Sequence, residues 1–260
     1  MGHYLILSIK RVALHALMAG MCLCAKAQRQ TANQTSSWFM FFGTHRIAPK
    51  WSLHSELQWR RSNGFLQPQQ NLLRTGINYH MNADVFITVG HAFVHTYPYG
   101  AFPAKTDFSE NRLWEQIQVK SQAGALEVIS RLRIEQRWMH QPVLQNGIYK
   151  AGDAVYQNRF RLLNRISMPF KGKKILDKSF YFSVYDEILI NAGKNVGMNI
   201  FDQNRAYLAL GYKIPAIGRL EIGYMQQTVM KSDGIRLENN HTFMLGINTN
   251  LDFYKPTKQN

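Results

Sequence analysis

The sequence has only two cysteines, and beyond its first 27 residues it has no apolar run that approaches the length of a membrane helix. Cys22 and Cys24 both lie within those 27 residues. Because the rest of the chain has no cysteine, a fold stabilised by disulfides and a metal site built on thiolates are both excluded there. Its stability has to come from backbone pairing and side-chain packing.

The first 27 residues have the pattern of a secretory signal peptide. Lys10 and Arg11 precede the apolar stretch VALHALMAGMCLCA, and AKA at 25–27 supplies the small-x-small pattern of a cleavage site before Gln28. The alternative is an N-terminal membrane anchor, but the apolar stretch is shorter than the roughly 20 residues that span a bilayer. We therefore expect an exported protein that is cleaved after residue 27.

Acidic residues are scarce compared with basic ones. The chain has 31 Lys and Arg against 16 Asp and Glu, a formal charge of +15. Without the three basic residues of the leader, Lys10, Arg11 and Lys26, the charge is +12. A basic chain can bind nucleic acid, but export makes acidic outer-membrane lipid and lipopolysaccharide the expected partners instead.

Helical periodicity is also missing, and alternation with a period of two takes its place along most of the chain. The alternating segments are 36–46, 50–61, 70–81, 84–96, 110–121, 125–139, 156–170, 179–191, 202–214, 218–230 and 239–252. Short connections such as IAPK and MNAD take turns with long ones such as YPYGAFPAKTDFS and MHQPVLQNGIYKAGDAVY. Short turns at one end and long loops at the other are typical of an outer-membrane barrel.

This pattern predicts an all-β fold with one antiparallel up-and-down transmembrane barrel of about 10–12 strands. The eleven segments are an odd number, and bacterial single-chain barrels use even numbers, so ten or twelve strands are expected. The predicted organisation is a signal peptide at 1–27, a short N-terminal segment at 28–36, the barrel at 37–253 and a C-terminal tail at 254–260. No stretch between 37 and 253 has the composition of an interdomain linker.

The alternation places charged residues on one side of the strands and apolar residues on the other. In SRLRIEQRW, for example, Arg131, Arg133 and Glu135 share one side, and Leu132 and Ile134 the other. In a membrane barrel the charged side lines the lumen, because Arg or Lys facing mid-bilayer costs roughly 2–4 kcal/mol. The predicted lumen-facing polar network is Glu56, Arg60, Arg74, Arg112, Arg131, Arg133, Glu135, Arg137, Arg159, Arg161, Arg165, Glu187, Arg205 and Glu221.

A soluble secreted β-barrel could also use this alternation, with the apolar side as its core. Three features favour the membrane barrel. The segments match the 9–11 residues of a tilted membrane strand, and arginine with glutamate suits a narrow polar lumen. The third is that aromatic residues gather near the segment ends, as at membrane interfaces; they are Trp38, Trp51, Trp59, Tyr79, Trp138 and Tyr212.

The stretches ENRLWEQIQ, RLRIEQRW, FDQNRAYLALGYK and LEIGYMQQ resemble a bacterial family known as a domain of unknown function. That family is common in Bacteroidetes-type bacteria and is presumed to form outer-membrane barrels. The resemblance spans residues 38–251. It implies a fold and a location, and it brings no established activity and no catalytic residues.

No catalytic, cofactor-binding or metal-binding residues are predicted, and an enzyme is not expected. On a strand, His91 and His95 are about 13 Å apart at ~3.3 Å per residue, too far to share an ion. His54 and Ser55 are adjacent, so their side chains point to opposite faces. A lipid hydrolase would need a dyad assembled from separate strands. The glutamates of the network are expected to form structural ion pairs.

The expected function is therefore structural, or limited transport or binding, at the outer membrane of a Gram-negative cell. The alternative is a porin-like channel, in which the excess of arginine would favour anions. The expected partners are outer-membrane lipid, lipopolysaccharide and the barrel-assembly machinery, with no nucleic acid and no cofactor. The sequence does not identify a solute or an external ligand.

Overall fold

A computed structural model describes residues 29–254, so the predicted signal peptide and residues 255–260 lie outside the described part. The described chain is all-β. Its strands are β1 (Gln30–Ala48), β2 (Trp51–Ser62), β3 (Gln67–His80), β4 (Val85–Thr96), β5 (Phe108–Ala123), β6 (Leu126–Gln145), β7 (Ile148–Pro169), β8 (Phe180–Ala192), β9 (Phe201–Ile214), β10 (Gly218–Met230) and β11 (Arg236–Thr249). Residues 29–254 contain no helix long and apolar enough to cross a membrane.

The strands form one closed barrel in which each strand pairs with its neighbours in the chain and β1 lies next to β11. The prediction of an all-β barrel of about 10–12 strands is confirmed. The expectation of an even number is wrong, because there are eleven strands and the first predicted segment is a full strand of the barrel. β1 begins at Gln30, so most of the predicted N-terminal segment 28–36 is strand.

An odd number of strands has a geometric consequence at the closing seam. Successive strands are antiparallel, so β1 and β11 run in the same direction and must meet as a parallel pair. The backbone shows this at the end of the seam, where Arg46 and Asp252 form a parallel bridge. The Arg46 N–H donates to the Leu251 carbonyl at 3.0 Å, and the Phe253 N–H donates to the Arg46 carbonyl at 2.9 Å.

The two faces of the strands have opposite chemistry. On β6, Leu132 is 42% exposed, whereas Arg133 is 2% exposed and Glu135 is completely buried. The same order holds on β2, where Leu57 is exposed and Glu56 is buried. Because a barrel of this size encloses its inner face, the buried polar side is the interior and the apolar side is the outer surface.

Aromatic residues lie at both ends of the apolar outer surface. Near the short turns, the Trp51 and Tyr79 ring centroids are 4.9 Å apart. At the opposite end, Trp138 and Tyr156 are 5.3 Å apart. Trp38 departs from the expected interface position: it points inward, is 1% exposed and lies beneath the Arg60 guanidinium, 3.7 Å from the ring centroid.

The connections at the two ends of the barrel differ in length less than the sequence predicts, since 63–66 at one end is as short as 81–84 at the other. The short-turn end carries residues 49–50, 81–84, 124–125 and 215–217, together with the longer connection 170–179. The loop end carries 63–66, 97–107, 193–200 and 231–235. The remaining connection at the loop end, predicted as a long loop, is instead the end of a β-hairpin.

This hairpin is formed by the outer parts of β6 and β7, which are 20 and 22 residues long. The strands stay paired as far as Gln145 and Ile148. Asn146 and Gly147 make the turn with φ of 51° and 79°, the left-handed conformation that an Asn-Gly hairpin turn requires. The prediction of a loop at 140–155 is therefore wrong, because the Asn-Gly turn lets the two strands stay paired through this stretch.

Glycine makes room for large interior rings at two points of the barrel. Tyr181 of β8 is completely buried and lies across Gly211 of β9, where an added Cβ would overlap the tyrosine ring. A Cβ at Gly76 of β3 would lie 2.9 Å from the Trp114 ring. These glycines let the interior hold bulky side chains although the lumen is narrow.

Candidate functional site

All fourteen residues predicted for the polar network lie on the inner face of the barrel. Twelve of them are less than a tenth exposed, and Arg131 and Arg165 are partly buried. Several of their contacts run between strands that are not neighbours: Arg74 of β3 pairs with Glu135 of β6 at 2.9 Å, and Arg165 of β7 pairs with Glu221 of β10. Contacts of this kind can only cross the interior.

Glu135 is the centre of the network. Its Oε1 accepts hydrogen bonds from Arg74 Nη2 and Arg161 Nη1, both at 2.9 Å. Its Oε2 accepts from Arg159 Nε at 2.9 Å and Nη2 at 2.5 Å, and Arg112 Nη1 lies 3.9 Å away. Four guanidinium groups from β3, β5 and β7 thus surround one carboxylate of β6. The charge-assisted, forked contacts tie these strands together across the lumen.

Glu187 of β8 forms a second centre beside the first. Arg131 donates to it at 2.7 Å, and Arg205 at 3.2 Å. Arg161 donates to both of its oxygens, with Nη2 at 2.8 and 2.9 Å. Since Arg161 also binds Glu135, the two centres form one continuous layer.

Further ion pairs lie on either side of this layer. Toward the loop end, Glu110 accepts from Arg112 at 2.6 and 2.8 Å and from Arg137. Toward the short-turn end, Arg219 of β10 reaches Glu127 of β6 at 2.6 and 3.0 Å. The charged filling therefore extends along much of the barrel.

Several charged residues of this filling are absent from the predicted network, among them Glu110, Glu127, Asp202, Arg219 and Glu238. Glu110, Glu127 and Arg219 each stand at an even spacing from a predicted network residue, so the alternation rule could have found them. Asp202, which binds Arg159 at 2.9 Å, could not be found that way. The pairing of β8 with β9 shifts register beside it, so its inward direction does not follow the alternation.

Two buried arginines of the network have no carboxylate within ion-pair distance in the described chain: Arg60 and Arg133. Arg133 gives its Nε and Nη2 protons to the amide oxygen of Gln116, at 3.0 and 2.8 Å. Its guanidinium also stacks on Trp114, 4.6 Å from the ring centroid. A buried charge with only neutral partners is energetically costly. Ion pairing within the described chain therefore does not explain why arginine occupies these two positions.

A cavity of about 830 Å³ lies between the charged layer and the short-turn end. Its lining includes the turn residues Pro49, Lys50 and Asn82. Arg133 and Arg205 belong to its charged part. Apolar side chains line another part of the wall; they are Met40, Phe42, Phe86, Ile129, Leu163 and Met244.

The loop end is partly covered by the connection 97–107. The Phe102 N–H donates to Glu238 at 3.3 Å, and Phe102 lies under the Arg236 guanidinium, 5.4 Å from the ring centroid. Arg236 is held in turn by Asp233. Hydrogen bonds from the backbone N–H of Arg236 and, to a lesser extent, from that of Ile235 lower the pKa of the Asp233 carboxyl to about 2. Asp233 is ionised at neutral pH, and its hydrogen bonds to Ile235 and Arg236 stabilise the connection 231–235.

The histidines considered as site candidates are separated from one another. His91 and His95 both lie on the outer face of β4, and His95 pairs with Asp107 at 3.1 Å. His54 is buried inside with Nε2 3.5 Å from Glu56, and Ser55 follows it on the opposite face. Within residues 29–254, no three His, Cys, Asp or Glu side chains are grouped as metal ligands.

Comparisons with known proteins identify the family of the chain. The family model described as "Protein of unknown function (DUF2490)" matches residues 35–238. An uncharacterised protein of Methylorubrum extorquens is 25% identical over 227 residues, which cover 86% of this chain and 92% of that protein. No solved structure matches. The resemblance to a domain of unknown function is confirmed, and the chain belongs to the DUF2490 family.

Proposed function

We propose that the protein is an outer-membrane β-barrel of the cell envelope whose lumen is sealed by its Arg/Glu layer. In this proposal its role is structural, or it binds a ligand, and it is not an open pore. One observation supports the proposal above the others: the exposed outer faces of the strands are mainly apolar, and most of the buried side chains inside the closed barrel are polar or charged.

The outer surface is suited to hydrocarbon. Exposed Leu, Ile, Val and Phe recur along the outer faces of the strands, including Leu162 of β7, Leu208 of β9 and Ile222 of β10. A monomer in water rarely exposes an apolar patch larger than a few hundred Å². A closed barrel also satisfies its backbone hydrogen bonds without an open edge, which hydrocarbon requires.

The charged layer is suited to closing the lumen. Glu135 and Glu187 together bind arginines from β3, β6, β7 and β9, so the layer spans the barrel cross-section. Moving these side chains aside would break several buried ion pairs at once, and each broken pair costs about 3–5 kcal/mol. A solute would therefore not pass freely.

Fractionation combined with gel mobility tests the membrane location. The full-length protein should be found in the outer-membrane fraction and remain there after an alkaline wash. Unheated samples should migrate differently from boiled samples on a denaturing gel, because the barrel stays folded in detergent. A mature chain that is monodisperse without detergent would overturn the proposal.

Conductance separates the sealed barrel from the second candidate, an anion-favouring channel. That candidate has one observation in its favour: nine Lys or Arg line the cavity against four Glu. In a planar bilayer we expect no steady conductance from the folded protein. Steady, anion-selective conductance would replace the sealed barrel with the channel.

A further inference from the structure

We propose that the cavity at the short-turn end is a binding site for a small amphipathic anion, with an acidic head group and an apolar body. The proposal rests on the proposed function, because only a barrel sealed by the charged layer makes this cavity a blind chamber. It names the class of ligand that the proposed binding barrel would take.

The size and enclosure of the cavity suit a small molecule. Its volume of about 830 Å³ is within the range of about 300–1,000 Å³ that is usual for ligand pockets. The charged layer forms one boundary, with Glu56, Arg133 and Glu187 among the lining residues. The short turns at 49–50 and 81–83 contribute to the lining at the other end.

The charge of the wall favours an anion. The nine basic side chains exceed the four glutamates by five formal charges. All four glutamates already have cationic partners: Glu56 binds Arg74, Glu127 binds Arg219, and Glu187 and Glu221 are paired in the same way. Glu187 and Glu127 each pair with more than one basic side chain of the wall, and among residues 29–254 Lys50 and Arg133 have no acidic partner at ion-pair distance. The wall as a whole therefore keeps an excess of positive charge.

Arg133 is the strongest candidate for the head-group contact. It is 2% exposed, lines the cavity and contacts only the neutral groups of Gln116 and Trp114. Among residues 29–254, no carboxylate lies within ion-pair distance of its guanidinium. A carboxylate or phosphate beside it would supply the missing partner through charge-assisted hydrogen bonds.

Unused hydrogen-bond donors in the same wall support this assignment. Arg205 is 7% exposed, and its Nε has no hydrogen-bond partner. The Nε of Arg131 is also buried without a partner. Both arginines line the cavity. Buried donors without partners are uncommon in folded proteins, and an anionic head group would satisfy them.

The apolar part of the wall accounts for the other half of the ligand. Met40 and Phe42 of β1, Leu163 of β7 and Met244 of β11 are inward-facing apolar residues on a face that is mainly polar or charged. An inorganic anion would make no use of them. A short alkyl or aromatic body would remove them from water and add binding energy in proportion to the area buried.

Calorimetry on the full chain, folded into phosphatidylcholine nanodiscs, tests the proposal. The anionic probes are hexyl phosphate and hexanoate, the cationic probe with the same tail is hexyltrimethylammonium, and the probe without a tail is inorganic phosphate. Empty discs supply the background. We expect saturable binding of at least one anionic probe, no saturable binding of the cation, and at least about tenfold weaker binding of inorganic phosphate.

Two arginine variants make a matched pair. Arg133→Gln should weaken binding of the anionic probe by about tenfold or more, because a charged hydrogen-bond donor is lost. Arg60→Gln should change it by less than about twofold. Arg60 is also buried, without a carboxylate partner and stacked on a tryptophan, but it does not line the cavity. Arg133→Lys should restore part of the affinity.

The outcomes separate this proposal from the membrane proposal. A chain that does not enter the discs as a heat-modifiable barrel counts against the membrane location. An inserted barrel that binds neither anionic probe, or binds the cation equally well, overturns the ligand class alone. Equal effects of Arg133→Gln and Arg60→Gln overturn the assigned site. If Arg133→Gln fails to fold, the comparison of the anionic and cationic probes on the unmodified protein still tests the ligand class.

Discussion

At the scale of single residues, the interior depends on a property that lysine lacks. A guanidinium presents several N–H donors in one plane and can serve two carboxylates at once. Arg74 connects Glu56 with Glu135, and Arg161 connects Glu135 with Glu187. A few glutamates can therefore hold a larger number of arginines in a space with little water.

Substitutions of two neighbouring residues on opposite faces should affect barrel assembly to very different extents. Leu132→Arg should strongly reduce barrel assembly, because it puts a charge on the apolar outer surface at a cost of about 2–4 kcal/mol. Arg133→Gln should reduce it much less, because the amide stays on the polar face. The yield of the heat-modifiable form in a detergent-folding assay measures both. Equal yields would contradict the assignment of faces.

Removing one carboxylate should have very different effects inside and outside the barrel. Glu135→Gln leaves Arg74, Arg159 and Arg161 without their shared anion, and we expect a loss of about 3–5 kcal/mol in the free energy of unfolding. The control is Glu115→Gln on the outer face of β5, where the carboxylate accepts only from Gln136. This control should change stability by less than about 1 kcal/mol.

Denaturant unfolding in detergent provides the comparison of these two variants. A similar loss for both would mean that the carboxylate of Glu135 contributes no more to stability than a carboxylate on the outer surface.

The sequence alone could place Glu135 on the charged side. It could not give its partners, since Arg74 is 61 residues away and the pairing depends on how the barrel closes.

At the scale of strands and turns, most of the architecture follows from the alternation, because a one-residue slip would exchange the two faces. Each predicted segment overlaps one observed strand. The errors occur where alternation is interrupted or continues beyond the barrel, as in the register shift beside Asp202 and the hairpin of β6 and β7. The position of Trp38 near the end of segment 36–46 predicts an interface residue, although its side chain on β1 points inside.

The projecting hairpin should be dispensable for the barrel. Deleting residues 143–145 and 148–150 keeps the Asn146-Gly147 turn and joins it to Pro142 and Ala151. We expect the shortened protein to assemble with unchanged yield and thermal stability, because these residues are exposed or pair only with one another. Folding yield and the temperature at which the gel shift disappears measure this.

A deletion of equal size within the barrel provides the control for the hairpin. Removing 133–135 together with 159–161 also takes out directly paired residues, but these belong to the charged layer. That variant should not assemble. If the shortened hairpin also abolished assembly, the hairpin would be part of the folding unit and not an appendage.

At the scale of the whole molecule, the parallel seam follows from the odd number of strands. A rule drawn from other bacterial barrels suggested ten or twelve strands, whereas the count of alternating segments suggested eleven. The structure agrees with the count. The cavity could not be predicted from the sequence, because its wall combines residues from most of the strands.

A disulfide across the seam tests the closure. Ser36 and Thr242, on β1 and β11, have their side-chain oxygens 2.7 Å apart. With Cys22 and Cys24 replaced by serine, the Ser36→Cys/Thr242→Cys variant should form an intramolecular disulfide in the folded protein, because the side chains are close enough for the bond. Gel mobility with and without reductant detects it.

The control for the seam is Ser36→Cys/Thr88→Cys, because Thr88 lies on β4, separated from β1 by two strands. It should form no intramolecular disulfide. A folded Ser36→Cys/Thr242→Cys protein whose two thiols both remain free would contradict a closed β1–β11 seam.

The most direct test asks what the outer surface touches. Nitroxide labels are attached at Leu162 and Ile222, which are exposed on the outer face, and at Lys150 on the projecting hairpin. In lipid bilayers, we expect the labels at Leu162 and Ile222 to be relaxed mainly by oxygen, which dissolves in hydrocarbon. The label at Lys150 should respond mainly to a water-soluble nickel complex. Nickel accessibility at Leu162 and Ile222 as high as at Lys150 would show that these faces are in water and would contradict the account.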